Sequence, residues 1–157
     1  MAMCRRGVHA CRADQLSFWL HEELWKVELD GDLSSGLDCV LAPRGRLVAR
    51  VDEWSERGGA QRFSIAVRDH AAALVAAASA EERGALQGYV DDSSWHVRHA
   101  QLESPALSAL CASMAVAQLS AWTTRRQGTA EPAALEDAYR FERAWQSAWI
   151  VREMGLA

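Results

Sequence analysis

The sequence predicts an α+β fold: a short antiparallel β-meander head of three to four strands with one short helix, packed on a body of four to five α-helices. Three observations predict it. Strict alternation of apolar and polar residues is confined to the first third of the chain, where glycine and proline punctuate it. Beyond Trp54 the alternation gives way to helical spacing in an alanine-rich sequence. The length, 157 residues, suits one domain that buries roughly 70% of its unfolded surface without disulfide or metal staples. The chain (1–157) therefore reads as a single domain, with a β-rich head at 1–54 and a helical body at 55–157.

In the head, Val8–Cys11 offers a first strand. Asp14 is an N-cap candidate for a short helix to Glu23, with Leu16, Trp19 and Leu20 at helical spacing. Trp25-Lys26-Val27-Glu28-Leu29-Asp30 then alternates strictly, as a strand with one buried face does, and Gly31 ends it. The turn-rich run Asp32–Gly36 leads into Leu37–Leu41, and Pro43-Arg44-Gly45 interrupts again. Arg46–Val51 alternates with Leu47, Ala49 and Val51 on one face. Short strands joined by tight turns predict the meander.

The body opens at the Gly58-Gly59 turn. Gln61–Ser79 is one helix, and Glu81–Tyr89 a shorter one weakened by Gly84 and Gly88. Asp91-Asp92-Ser93-Ser94 offers caps for a helix through Trp95, Val97 and Leu102. Ser104-Pro105 places a cap and then proline in the first turn of the next helix. Its stripe runs Leu107, Leu110, Cys111, Met114, Gln118, Trp122 and ends near Arg125-Arg126. The last helix follows Pro132, with Leu135, Ala138, Tyr139, Trp145, Ala148, Trp149 and Met154 as its apolar stripe.

Half the residues are apolar and 24% charged, which is globular composition. The net charge of −4 supplies no electrostatic pull toward nucleic acid or acidic lipid, so neither partner is expected. No run approaches the ~18 consecutive apolar residues that mark a membrane span. Met1–Arg12 has no apolar core of a signal peptide, which predicts a cytoplasmic protein. Sixteen arginines against a single lysine, Lys26, with the alanine excess, suggest a GC-rich bacterial genome. In a reducing compartment Cys4, Cys11, Cys39 and Cys111 are expected as free thiols.

Several residues are candidates for chemistry. Cys4, His9, Cys11 and His21 are ligand types that zinc prefers, but the close cysteine pair of fingers and ribbons is missing. The sequence thus favours a small core cysteine at Cys11 over a metal site, and predicts no cofactor. Cys11 or Cys39 as a nucleophile needs a base nearby, and His9 is the nearest along the chain to Cys11. His96 and His99 share a helical face with Asp91 and Asp92 upstream, a minimal metal arrangement that a solvated helix face also explains. Asp69-His70 is half of a triad without a serine elbow. Arg44-Gly45-Arg46 at a turn could hold an anion, though arginines flanking a glycine are common at hairpins. No dinucleotide or phosphate-loop motif occurs.

Seven tryptophans are the strongest compositional signal. Core packing among small alanines explains them, and so does an aromatic binding face, because tryptophan is enriched at interaction hot spots. Trp145 and Trp149, one turn apart, must share a helix face.

Gly7-Val8-His9-Ala10-Cys11, with Leu16–Leu20 and the run to Gly31, resembles a segment of uncharacterised bacterial and phage proteins that are loosely similar to small ADP-ribosyltransferase-like domains. That resemblance spans residues 7–31 and implies a nicotinamide-dinucleotide pocket near His9. The tyrosine pair and distal glutamate motif of such domains are missing. Glu142-Arg143-Ala144-Trp145-Gln146 resembles the closing helix of a family of small helical proteins assigned as immunity proteins, which implies a non-enzymatic partner binder.

The leading expectation is a non-catalytic, immunity-like domain that binds a protein or ligand through an aromatic helical face, with Trp25, Trp122, Trp145 and Trp149 as binding residues. The competing expectation is a small enzyme, transferase-like or thiol-dependent, with its site at His9 and Cys11. A third is a small-molecule pocket between sheet and helices, lined by Trp25, Trp122 and Trp149. Self-association is compatible with all three.

Overall fold

The computed structural model describes residues 7–126, 128 and 131–156, with the side chains at 81, 92–97, 100–103 and 126 outside that description. The head comprises β1 (Val8–Ala10), a 3-10 segment (Ala13–Trp19), β2 (Trp25–Asp30), β3 (Ser34–Ser35), β4 (Val40–Ala42) and β5 (Arg44–Arg50). The body comprises a one-turn helix α1 (Asp52–Ser55) and four long helices, α2 (Gly59–Ala77), α3 (Ala80–Glu103), α4 (Pro105–Arg126) and α5 (Pro132–Glu153). The α+β class, with a short strand head on a helical body, is the predicted one.

The strand order departs from a simple meander. The strands form two small antiparallel sheets, β1-β4-β3 and the two-stranded ribbon β2-β5. Only Pro43 separates β4 from β5. Proline has no N–H for the ladder, so pairing stops there and the chain passes from one sheet to the other. Gly31, at φ +94°, turns beside it; a Cβ there would lie 2.6 Å from the Pro43 ring. The ribbon register slips between Lys26 and Val27, which pair with Ala49 and Leu47 and leave Val48 extra. That bulge breaks the expected alternation on β5, and Leu47 and Val48 are both more than half exposed. Between the ribbon and the three-stranded sheet, the expected strand Leu37–Leu41 begins only at Val40, after a tight turn in which the Gly36 N–H donates to the Cys39 carbonyl at 2.8 Å.

The two helices expected between residues 81 and 102 are one, α3. Ser79 and Glu82 form its reciprocal cap, with the Ser79 N–H donating to the Glu82 carboxylate at 3.2 Å and the Ser79 hydroxyl donating to it at 2.7 Å. Leu86, Tyr89 and Val90 pack into the core, and such tertiary burial outweighs the intrinsic cost of Gly84 and Gly88. Ser104 caps α4 as expected, its hydroxyl accepting the Leu107 N–H at 2.9 Å.

Helix α4 is central, flanked by α2, α3 and α5. Its mean hydropathy of 1.3 over Pro105–Arg125 makes it the one helix among the described residues long and apolar enough to cross a membrane. In this fold that composition serves its central place: Ala109, Ala112, Val116, Ala117 and Leu119 are buried. The hydrophobic cluster runs from Leu20, Leu24 and Val51 at the base of the head to Ile150 and Met154 on the last helix and just after it. Trp54 is its largest buried side chain; its indole N–H donates to the His21 carbonyl at 2.9 Å. Phe63 joins the rings of Trp54 and Trp149, at centroid distances of 5.9 and 5.5 Å. Gly59 permits this closeness, since a Cβ there would stand 2.5 Å from the Glu53 carbonyl.

Candidate functional site

The head does not close on itself. Between β1, the 3-10 segment and the ribbon lies an open cleft of about 670 Å³, within the usual range of small-molecule sites. Leu16 and Trp19 of the 3-10 segment, Trp25, Val27 and Leu29 of β2, Leu33 and Val40 supply apolar walls, with Leu156 reaching in from beyond α5. Pleating explains the β2 contribution: Trp25, Val27 and Leu29 share one face while Glu28 and Asp30 take the other. On that outer face Arg44 pairs with Asp30 at 2.8 Å and Arg46 with Glu28 at 2.5 Å. Arg44-Gly45-Arg46, expected at a turn and considered for an anion, instead begins β5 and has both guanidinium groups engaged.

Four of its lining residues are exposed apolar side chains: Trp19, Trp25, Val27 and Leu33, between 36% and 58% exposed. Phe141 on α5, at 79%, is exposed on the helical body. A two-stranded ribbon with an uncovered apolar face is marginal in water by itself. The cleft also carries charge. Arg12 lines it and donates to the Ser35 hydroxyl at 2.6 Å. Glu23, the carboxylate that lines the cleft, accepts from the Trp25 indole at 3.0 Å and from Arg50 at 3.3 Å, and these bonds hold it below the ordinary carboxylate range.

His9 and Cys11 both line this cleft, so the structure brings them together with Trp25. Burial pushes the Cys11 thiol up to about 11, and the charge of Asp14 adds to the shift. A thiol so firmly protonated is a poor nucleophile at neutral pH, which counts against thiol catalysis there. His21 lies elsewhere, in a depression with Leu20, Glu22 and Leu107, and Cys4 lies outside the described residues. No group of three metal-ligating side chains occurs among the described residues. Cys11 and Cys39 are free thiols. Of the His96–His99 pair, only His99 has a described side chain, which is exposed.

The other tryptophans are placed apart from Trp25. Trp122 meets Tyr89 at 5.5 Å, Trp145 meets His70 at 4.0 Å and Trp149 meets Phe63, all half-buried against the core. Trp25, Trp122 and Trp149 therefore do not surround a common pocket, and the aromatic stripe of α5 faces inward.

A second constellation escaped the sequence reading. The buried face of α5 is polar: Glu142, Arg143, Gln146 and Ser147, with Ile150 completing it. These positions keep helical spacing, which was the available signal, but their polarity suggested solvent. Arg143 donates to the Ser17 carbonyl at 2.7 Å and to the Ser113 hydroxyl, and its guanidinium lies 4.4 Å from the Phe18 ring centre. The Ser17 N–H donates to the Ser147 hydroxyl at 3.0 Å, while its own hydroxyl donates to the Arg143 carbonyl at 2.9 Å. Gln146 bridges Ser113 and Glu142, donating to the Glu142 carboxylate at 3.1 Å. His70, read as half of a triad with Asp69, instead faces Glu142, with Nδ1 3.5 Å from its carboxylate. Burial raises the Glu142 pKa, with the charges of His70 and Arg143 and the bond from Gln146 opposing that shift. Neither His70 nor Glu142 lines the head cleft, so this network clamps the 3-10 segment to the body and does not face a ligand space.

No family model, no curated protein and no solved structure matches this chain.

Proposed function

We propose that the protein is a non-catalytic binding domain whose working surface is the head cleft, which receives an apolar group of a small molecule or partner protein. One observation carries the reading. Trp19, Trp25, Val27 and Leu33, all exposed apolar side chains, line a cleft of about 670 Å³, while Trp122, Trp145 and Trp149 of the helical body pack against the core. Exposed apolar surface that persists on a folded domain marks a site of interaction. The protonated Cys11 thiol supports a binding role over thiol catalysis. Free thiols at Cys11 and Cys39 support a reducing compartment, and we place the protein in the cytoplasm.

The uncharged dye N-phenyl-1-naphthylamine tests the reading. Its fluorescence is expected to rise on titration and saturate at one dye per chain. Val27→Asp with Leu33→Asp should abolish the rise while leaving the helical circular dichroism and the thermal midpoint nearly unchanged, because both side chains are exposed. A dye that fails to bind, or binds the double variant equally well, overturns the reading.

A further inference from the structure

We infer that the head cleft selects a small amphipathic carboxylate: an apolar body carrying a single anionic head. The inference rests on the cleft being a binding site and adds the chemical class of what it binds. Its basis is the charge balance of the walls. Arg12 enters the lining from the loop after β1. It has no carboxylate partner among the described residues and donates to the Ser35 hydroxyl. The sole carboxylate in the lining, Glu23, is already held by Arg50 and the Trp25 indole. The remaining walls are mainly apolar, with His9 and Ser35 among them.

A ligand that fills this space displaces water from the Arg12 guanidinium as well as from the apolar side chains. Desolvating a cation without a counter-charge is costly, so a neutral apolar ligand leaves that cost unmet. A carboxylate meets it with charge-assisted hydrogen bonds, and the planar guanidinium of Arg12 is suited to hold both of its oxygens. A cationic amphiphile would be repelled. The cleft volume favours a small molecule, because a macromolecular partner engages a far larger surface.

The test is displacement of bound N-phenyl-1-naphthylamine by dodecanoate, dodecanol and dodecyltrimethylammonium, each below its micelle concentration. Dodecanoate is expected to displace the dye at about tenfold lower concentration than dodecanol, with the ammonium weakest, as hydrogen bonds to charged groups imply. In Arg12→Gln the gap between acid and alcohol should fall to about twofold or less. Equal displacement by dodecanoate and dodecanol in the wild-type protein overturns the charge inference and leaves the cleft standing. An undiminished gap in Arg12→Gln also overturns it. Failure of the dye itself to bind removes the cleft reading and this inference together.

Discussion

Arg143 is the side chain whose loss the fold should feel most. It is 2% exposed, and its guanidinium spans three parts of the chain: Ser17 and Phe18 in the 3-10 segment, Ser113 on α4, and its own helix. Arg143→Ala removes two charge-assisted hydrogen bonds, about 1.5–3 kcal/mol each, and a cation–π contact of about 0.5–2 kcal/mol. Against that stands relief from burying a guanidinium, several kcal/mol of desolvation; the same burial lowers the Arg143 pKa. The variant also leaves the Ser17 carbonyl without its side-chain donor in a dry setting. The expected net loss is about 3 kcal/mol, in line with breaking a buried polar pair from one side. Urea unfolding followed by circular dichroism measures it directly, as a fall in midpoint at constant slope. For a domain of this size the same loss lowers the melting temperature by roughly 10 °C. Arg143→Lys should cost less, since it retains a cation but not the fork that reaches Ser17 and Ser113 together. A cost below about 1 kcal/mol for Arg143→Ala would refute the view that this network clamps head to body.

Two further outcomes are expected. The folded Glu142 carboxyl binds its proton more tightly than the unfolded one, so its contribution to stability grows as pH falls through the folded pKa toward the ordinary value of 4.5. Glu142→Gln removes that term and keeps an oxygen for Gln146. The variant should therefore stand highest relative to wild type near pH 8, and its advantage should shrink on acidification; urea melts that show the advantage growing toward pH 5 contradict the assignment. For Cys11, a thiol at about 11 instead of 9.0 carries about a hundredfold less thiolate near pH 8. Iodoacetamide labelling read by peptide mass spectrometry should find it about a hundredfold slower than a cysteine in a short peptide, and labelling at the peptide's rate rules out the buried environment.

The helices were the legible part of this chain. Proline at 105 and 132 and the Ser104 cap announce α4 and α5 to within a residue, because capping chemistry is local. Elsewhere the deciding forces are not local. The caps at Asp91–Ser94 lost to the packing of Leu86, Tyr89 and Val90, which no short window contains. Strand partners were misread for a similar reason: pairing β2 with β5 depends on a bulge at Val48 and on Pro43 ending one ladder, whereas composition shows only that strands exist. Tryptophan count drew attention to α5, yet Trp145 and Trp149 pack against the core, and the aromatic that α5 exposes is Phe141. His9 and Cys11, picked out together for metal or enzyme chemistry, and Trp25, picked out for binding, line a single cleft. The polar buried face of α5 was invisible because Glu142 and Arg143 read as solvent-facing until Ser17, His70 and Ser113 are brought opposite them.

The bonds from Ser17 to Arg143 and Ser147 join residues separated by 126 and 130 positions, nearly the whole chain. On the ribosome that distance becomes time. At roughly 5–20 residues per second, the head emerges on the order of ten seconds before the helix that fastens it exists. Throughout that interval its ribbon and apolar cleft face the crowded cell without the body behind them, and the nascent chain is at its most vulnerable to unwanted association. The charged outer face of the ribbon, where Glu28 and Asp30 are locked to Arg46 and Arg44, is the part of the head already equipped to resist it. The head is fastened only when α5, made long after it, closes over the 3-10 segment.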